Sequence, residues 1–295
     1  MPAGAGTECG AGRERQGTDD TFVTFDVPGS TCLDAFPFCT RPTAINNSEA
    51  IVGIYADASG AAHGFLRTRD GAIATIDPVG SMSNFPSDIS PAGAITGGYC
   101  DNTTCHAYLR SPYGAFTTFD APGSTALGGT FPLEIAPAGT IIGQSCDDTT
   151  CHGFLGTPGA FTTFDPPGSV YTSPAALNPA GSITGFYQDA NFVEHGFLRA
   201  KDGAFTVIDG PGSISTGPTS INPAEAIAGI ESLPSHPFHG FLRSRDGAFT
   251  IFDVPGSQYT WRVTGITPAG TIAGSYLLLD AAGGCCLERG FLRSH

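Results

Sequence analysis

One nine-residue phrase recurs along the chain and constrains the fold more than any other feature. It reads FTIFDVPGS at 249–257, and its other copies are FVTFDVPGS (22–30), IATIDPVGS (73–81), FTTFDAPGS (116–124), FTTFDPPGS (161–169) and FTVIDGPGS (205–213). Its aspartates are Asp26, Asp77, Asp120, Asp165, Asp209 and Asp253, so successive copies lie 43 to 51 residues apart. A period of this length is typical of propeller blades.

Each repeat unit also contains other recurring segments in a constant order. A stretch such as INPAEAIAGI (221–230) precedes a stretch such as HGFLRSRDGAFTIFD (239–253). Pro-Ala-Gly and Asp-Gly are turn signals, and alternating Phe and Thr suit a pleated strand. Each unit therefore predicts four short antiparallel strands, which we name A to D in chain order.

The two ends of the chain predict how the ring closes. The sequence ends in RGFLRSH (289–295), a strand C without a strand D, and FVTFD (22–26) is a strand D without a blade before it. We expect an all-β, six-bladed propeller in which this N-terminal strand completes the last blade and leaves no open edge. The predicted propeller covers 20–295, with blades at about 31–80, 81–123, 124–168, 169–212, 213–256 and 257–295 plus 20–30, and 1–19 is predicted to be a disordered tail.

Composition agrees with this class and excludes some partners. The net charge of −14 repels phosphate backbones and anionic membrane surfaces, which excludes nucleic acid. No apolar run approaches the roughly 18 residues of a membrane span, so no membrane insertion is expected. The 41 glycines and 23 prolines indicate many tight turns, and no stretch shows a helical period.

The nine cysteines indicate an oxidising compartment. Two near-identical loops, CDNTTCH (100–106) and CDDTTCH (146–152), predict the disulfides Cys100–Cys105 and Cys146–Cys151, and Cys32 and Cys39 bracket a third short loop. Zinc is the alternative, but its sites usually combine two close-spaced ligand pairs. The pairing of Cys9, Cys285 and Cys286 stays open. The first twenty residues lack the apolar segment of a signal peptide, yet the disulfides predict a secreted or surface protein.

The repeats resemble the HAF-type extracellular repeats of bacteria, whose pattern is His-Ala-Phe-Leu with Ile-Asn-x-x-Gly downstream. The matching residues are His106-Ala107-Tyr108-Leu109 and, with Gly for Ala, His63, His152, His195 and His239. The resemblance covers 20–295 and implies an extracellular propeller, with no catalytic residue set to transfer.

The repeated histidines and aspartates favour structural roles. Strand C is third from the propeller axis, so neighbouring histidines should lie about 15 Å apart and cannot share a metal ion. Asp57, Asp101, Asp147 and Asp189 precede four of them and can form hydrogen bonds within each blade. We expect the phrase aspartate to accept backbone N–H bonds from the Gly and Ser beyond its proline. No cofactor is predicted, and calcium binding stays open.

Departures from the repeat supply the candidate site residues. Just before the strand-A Ile, where other blades carry small residues, blades two and three carry Asp88 and Glu134, a pair that could serve an inverting hydrolase about 6–10 Å apart or stay solvated in the channel. Blade six adds Tyr259, the only tryptophan Trp261, and Arg262, and blade one adds Arg41. The strand-B tyrosine column becomes Glu231 in blade five.

Three functions from different classes fit these residues. The preferred one is a non-catalytic extracellular module that binds a glycan or protein ligand on the face of the D–A and B–C connections, which we call the loop-rich face. The first alternative is a lyase or hydrolase that uses Asp88 and Glu134 with Arg262 or Arg41. The second is a structural subunit that self-assembles.

Overall fold

The computed structural model describes residues 23–31, 39–126, 128–234, 236–279 and 286–294. Within these ranges every regular element is a β-strand, and the strands form six antiparallel sheets, of which each of the first five packs against the next in chain order. The predicted all-β class and six-bladed propeller architecture are confirmed. No helix in these ranges has the length and apolar character needed to cross a membrane. The tail predicted at 1–19 lies outside the described residues.

Each sheet is a meander whose strands follow one another in chain order. The first three blades contain β1 (Thr40–Ile45), β2 (Ile51–Ala56), β3 (Ala62–Arg67) and β4 (Ile73–Thr75); β5 (Ser83–Ile89), β6 (Ile95–Cys100), β7 (Cys105–Arg110) and β8 (Phe116–Phe119); and β9 (Gly129–Ile135), β10 (Ile141–Cys146), β11 (Cys151–Gly156) and β12 (Thr162–Phe164). The last three contain β13 (Tyr171–Leu177), β14 (Ile183–Gln188), β15 (Glu194–Arg199) and β16 (Phe205–Ile208); β17 (Ser215–Ile221), β18 (Ile227–Leu233), β19 (His236–Arg243) and β20 (Phe249–Phe252); and β21 (Tyr259–Ile266), β22 (Ile272–Leu279) and β23 (Cys286–Arg293).

Strand B carries a glycine where it passes between strand A and the phenylalanine ring of strand C. At Gly53 an added Cβ would lie 2.3 Å from the carbonyl oxygen of Arg41 and 2.7 Å from the ring of Phe65. The same crowding occurs at Gly229 in blade five. Side chains do not tolerate contacts this short, so the glycine of the Ile-x-Gly segment permits the close crossing.

The core lies at the junctions between blades. Where blades two and three meet, Ile135, Ile141 and Phe154 of blade three pack with Ala107 and Phe119 of blade two. Equivalent clusters join the other neighbouring blades from one to six. Because each fully buried side chain of this kind contributes about 1.5–3 kcal/mol, stacking of the blades stabilises the ring.

The repeated phrase forms the corner between blades, but its aspartate does not act as predicted. The N–H of Ser124 donates to the carbonyl oxygen of Ala121, and Gly123 between them has φ +87°. This is a type II turn, with proline at its second position and glycine at its third. The turn therefore satisfies its own N–H group, which leaves the carboxylate of Asp120 free to bind a side chain.

The N-terminal segment 23–27 differs from its prediction. It belongs to no sheet, and the sheet of blade six has three strands in the described residues, so the predicted ladder between 22–26 and the last strand is not formed there. The segment packs on blade one instead: the ring of Phe25 meets that of Phe65 at 6.0 Å and 73°, and the Val27 N–H donates to Thr40 Oγ1 at 3.1 Å.

These contacts match those that a strand D makes with the blade after it. Between blades two and three, the rings of Phe119 and Phe154 meet at 6.4 Å and 78°, and the Ala121 N–H donates to Thr130 Oγ1 at 2.9 Å. The segment thus takes the place of a strand D toward blade one. Side-chain packing holds it there, without ladder hydrogen bonds to blade six among the described residues.

Two of the predicted disulfides are present. Cys100 pairs with Cys105 and Cys146 with Cys151, each bridging the B–C connection of its blade. Cys39 is disulfide-bonded, whereas Cys32, Cys9 and Cys285 lie outside the described residues.

Candidate functional site: the loop-rich face

In five of the six blades, strand C carries a histidine that binds the aspartate of the phrase. Nδ1 of the histidine lies 2.6–2.9 Å from an aspartate carboxylate oxygen in all five histidine-bearing blades. The pairs are His63–Asp77, His106–Asp120, His152–Asp165, His195–Asp209 and His239–Asp253. The phrase aspartate therefore joins strand C to strand D within its own blade, a structural role reached by a different bond from the predicted one.

The aspartates of the B–C connections lie on the other side of the histidine ring. Nε2 of His63 is 3.2 Å from Asp57, and the corresponding distances in blades two, three and four are 3.7–3.9 Å. Each of these aspartates also caps its own loop; the Thr103 hydroxyl and nearby backbone N–H groups lower the pKa of Asp101 to about 2. No group of three or more His, Cys, Asp or Glu side chains in the described ranges could hold a metal ion.

Three strand-B tyrosines, Tyr55, Tyr99 and Tyr187, are buried, and their rings lie against these histidines. The ring centroids of Tyr55 and His63 lie 5.1 Å apart, and those of Tyr187 and His195 lie 5.2 Å apart. The same tyrosines contribute to the clusters between blades. The tyrosine column thus belongs to the core.

Asp88 and Glu134 link neighbouring blades. Asp88 accepts the Ile135 N–H at 2.9 Å, and Glu134 accepts the Leu177 N–H at 2.8 Å, each on the strand A of the next blade. Burial raises the pKa of both carboxyl groups, that of Glu134 to about 7. Each carboxylate thus has a backbone donor as partner, an arrangement that serves the ring.

Glu231 is buried, so its side chain cannot contact a ligand at the protein surface. Its side chain is 1% exposed, both carboxylate oxygens lack a hydrogen-bond partner, and burial raises its pKa. It packs on Gly210, where a Cβ would lie 1.6 Å from Oε2. Glycine at this corner therefore makes room for the glutamate.

The two predicted arginines occupy one register position. Arg41 pairs with Ile54 and Arg262 pairs with Ser275. In both ladders the preceding pair joins a strand-A threonine to a strand-B tyrosine. Both arginines are exposed at the start of strand A, on the loop-rich face.

Tyr259 and Trp261 belong to an aromatic cluster with a third ring that sequence reasoning missed. Phe238, near the start of β19 where the register with β18 shifts, meets Trp261 at 5.4 Å and 73° and Tyr259 at 6.2 Å and 88°. Trp261 sits on a bulge of β21, because the register shifts between Thr260 and Arg262. The side chain of Trp261 is 41% exposed and that of Phe238 is 37% exposed. The length of its segment gave no signal for Phe238, because seven residues also separate the strand-B tyrosine from the histidine in blades one and four.

Two sets of repeated charged residues lie on different faces of the propeller. The loop-rich face bears the aspartates of the corners and of the B–C connections, whereas the opposite face bears the basic residues at the ends of strand C: Arg67, Arg110, Arg199, Arg243 and Arg293. The opposite face also carries acidic residues, since Glu49 pairs with Arg69 at 3.3 Å and Glu225 with Arg245 at 3.2 Å.

Structural comparison supports the fold alone. No protein-family model matches the chain, and no curated protein sequence matches it. Solved structures similar to it include selenomethionine-substituted virginiamycin B lyase from Staphylococcus aureus (14% identity, 85% of this chain and 83% of that chain, TM-score 0.56) and TolB from Acinetobacter baumannii (16%, 70% and 52%, TM-score 0.53). A third is the Dos1 propeller (12%, 87% and 73%, TM-score 0.50).

Proposed function

We propose that the chain is a non-catalytic extracellular binding module that takes a glycan on its loop-rich face. The observation that carries the proposal is the partly exposed cluster of Phe238, Tyr259 and Trp261, three aromatic rings at the junction of blades five and six. Soluble propellers bury most of their aromatic rings, so an exposed cluster on the face of the variable connections is typical of a binding surface.

The chemistry of the cluster suits a sugar ring. A pyranose has an apolar C–H face and a polar rim, and an indole offers a flat apolar face with a polar N–H edge. Asp253 follows strand D of blade five, and the exposed Arg262 follows Trp261 directly in the chain, so acceptors and donors for hydroxyl groups lie near the rings in sequence and register. Few polar groups beside an apolar surface are typical of small-ligand sites.

The carboxylates that would serve catalysis are engaged elsewhere. Asp88 and Glu134 accept backbone N–H groups of the next blade, and Glu231 is buried under a corner. The hydrolase or lyase alternative thus lacks an accessible acid–base pair among these three residues. The two disulfides support an extracellular location. We also propose that the repeats belong to the HAF-type family that their strand-C segments resemble.

Intrinsic fluorescence tests the proposal, because Trp261 is the only tryptophan in the sequence. A glycan array should yield a hit, and titration of that glycan should shift the Trp261 emission. Phe238→Ala should weaken binding at least about fivefold, since a stacked aromatic ring contributes about 1 kcal/mol or more. Phe192→Ala is the matched control, because Phe192 is 75% exposed on the corresponding connection of blade four.

Three outcomes would overturn the proposal. An array without any hit would transfer the function to a protein partner, and sedimentation as a filament or large oligomer would favour self-assembly. Equal losses of affinity in Phe238→Ala and Phe192→Ala would show that the aromatic cluster is not the site.

A further inference from the structure

A cavity of about 350 Å³ opens between blades two and three, on a different part of the ring from the aromatic cluster. Its walls are the start of strand A in both blades and the end of strand B in blade two. Phe85 and Phe131 line it, each 40% exposed, together with Tyr99 and the Cys100–Cys105 disulfide. The volume lies in the usual range for small-molecule sites.

A single departure from the repeat leaves this space open. Gly98 lies on strand B opposite Phe85, and φ at Gly98 is not positive, so the backbone does not require glycine there. An added Cβ would meet nothing closer than 3.6 Å. In the other blades this register position holds a side chain: Ile54, Gln144, Phe186, Ile230 and Ser275. In blade three, Gln144 fills the equivalent space and donates to the Tyr171 hydroxyl at 2.8 Å.

The two phenylalanines also depart from the repeat. Phe85 and Phe131 occupy the strand-A position that holds arginine in blades one and six and Ser173 or Gly217 in blades four and five. Two adjacent blades thus present aromatic rings to one cavity, and no other pair of adjacent blades does so at this position in the described strands.

The electrostatic surroundings of the cavity are negative. The residues that line it include no lysine or arginine. Asp101 follows the lining residue Cys100, and Asp120 binds the histidine that follows Cys105. Burial, together with the charges of Asp101 and Asp120, raises the pKa of the Tyr99 phenol. The carboxylates are therefore close enough to act on the cavity wall.

We propose that this cavity binds a small organic cation of the alkylammonium class, with quaternary ammonium as its best-fitting head group. Aromatic faces attract such cations through the ring quadrupole, and a weakly hydrated ammonium loses little solvation on entering an apolar cavity. The aspartates of the rim complement its charge, and the net charge of −14 raises the local concentration of cations. This site is separate from the proposed glycan surface, and the proposal does not depend on glycan binding.

Choline and neohexyl alcohol, its uncharged carbon isostere, test the proposal by isothermal titration calorimetry. The two probes have nearly the same shape and differ by one positive charge. Choline should bind at least about tenfold more tightly, because a desolvated cation–π contact contributes about 2 kcal/mol. Its affinity should also fall with added salt, because the carboxylates of the rim are screened.

Gly98→Gln should abolish choline binding, since it places in blade two the residue that blade three carries at the same position. Ser275→Gln is the matched control, because it adds the same side chain at the same register position of blade six, away from the cavity. Trp261→Ala should leave choline binding unchanged, which separates this site from the glycan surface. Thermal unfolding of each variant checks that it folds.

Phe85→Leu, which keeps the bulk of an apolar side chain, should weaken choline binding several-fold and leave neohexyl alcohol binding nearly unchanged. Equal affinities for choline and the alcohol, no choline binding at millimolar concentration, or full binding by a folded Gly98→Gln variant would each overturn the proposal. Tighter binding of a trimethyllysine peptide than of choline would overturn the assignment to a free small molecule.

Discussion

The junction between blades two and three and the junction between blades six and one are built from the same sequence motif, yet they pack differently. The strand-A isoleucine of blade three, Ile135, is 3% exposed, whereas its equivalent in blade one, Ile45, is 63% exposed. A second comparison uses strand C. Leu242 of blade five, at the junction with blade six, is 8% exposed, whereas its equivalent in blade six, Leu292, is 79% exposed. Identical motifs therefore do not ensure identical burial.

The two junctions differ in burial because different segments of the chain form their clusters. Five junction clusters combine residues of two adjacent sheets, but the sixth combines Phe25 and Val27 of the N-terminal segment with Tyr55 and Phe65 of blade one. The segment shields the outer part of blade one, and Arg67 stacks over its Phe25 ring at 4.9 Å. It does not cover Ile45. Among the described residues, the six–one junction is thus the least packed part of the ring, and it should be the first to open.

The largest expected contrast comes from truncating the strand-A isoleucine at each junction. Ile135→Ala should destabilise the protein by about 2–5 kcal/mol, because it leaves a cavity in a closed core. Ile45→Ala should cost less than about 0.5 kcal/mol, the usual range for an exposed site. Urea unfolding measures both. Similar costs for the two variants would mean that the six–one junction packs as tightly as the others in solution.

A second test uses the linking carboxylate at the junction of blades three and four. Glu134 has a pKa of about 7 in the folded protein against 4.5 for an ordinary glutamate, so the folded state binds more protons between these values. The contribution of Glu134 to the free energy of unfolding is full below pH 4.5 and falls by at most about 3 kcal/mol as pH rises to 7.

Glu134→Gln should remove this part of the pH dependence, because glutamine can still accept the Leu177 N–H and does not ionise. Ser220→Ala is the control: Ser220 accepts the Ile266 N–H at 3.2 Å between blades five and six without titrating there. Urea midpoints between pH 4.5 and 7 provide the measurement. A wild-type pH profile in Glu134→Gln would show that Glu134 is not the titrating group.

The third test concerns the N-terminal segment. Phe25→Ala should cost about 1–2 kcal/mol, less than a fully buried phenylalanine, because the Phe25 ring is half-buried on Phe65 and Arg67. It should also speed hydrogen exchange in blade one more than in blade three. Val23→Ala, at a position 75% exposed, is the control. Uniform changes in exchange over all blades would contradict a local role of the segment.

The smallest expected effect distinguishes two glycines of blade six. Gly265 has no atom within 4 Å of an added Cβ, whereas at Gly274 a Cβ would lie 2.1 Å from the Arg262 carbonyl oxygen. Gly265→Ala should therefore stabilise by about 0.4–1 kcal/mol through the unfolded chain, and Gly274→Ala should destabilise. The same sign for both variants in thermal unfolding would contradict the packing described for β21 and β22.

Much of the fold could be predicted because it depends on local chemistry repeated many times. Turn residues and alternating strands occur in every unit, so errors in reading one copy are corrected by the others. The site was harder to predict. Phe238 lies in a segment of the same length as its counterparts in blades one and four, and its contact with Trp261 depends on the neighbouring blade and on a bulge.

The hydrogen-bond partners of two sets of carboxylates could not be predicted. The phrase aspartate was predicted to bind its own turn, but the type II turn already satisfies its N–H, and a histidine from the adjacent strand is the nearer partner. Asp88 and Glu134 were predicted to be a catalytic pair or to stay solvated in the channel, and the backbone N–H of the next blade that each accepts was not predicted. Sequence spacing does not report which donor lies across a blade junction.

The sequence by itself determined the repeat period, the strand order within a blade, the six-bladed class and the cysteine pairs of two loops, because these arise from interactions between residues close along the chain. Only the tertiary structure decided which apolar positions are buried, which carboxylates have partners and which aromatic rings stay exposed. Those outcomes depend on contacts between blades, where residues about 45 positions apart meet and the same motif has a different neighbour at each place in the ring.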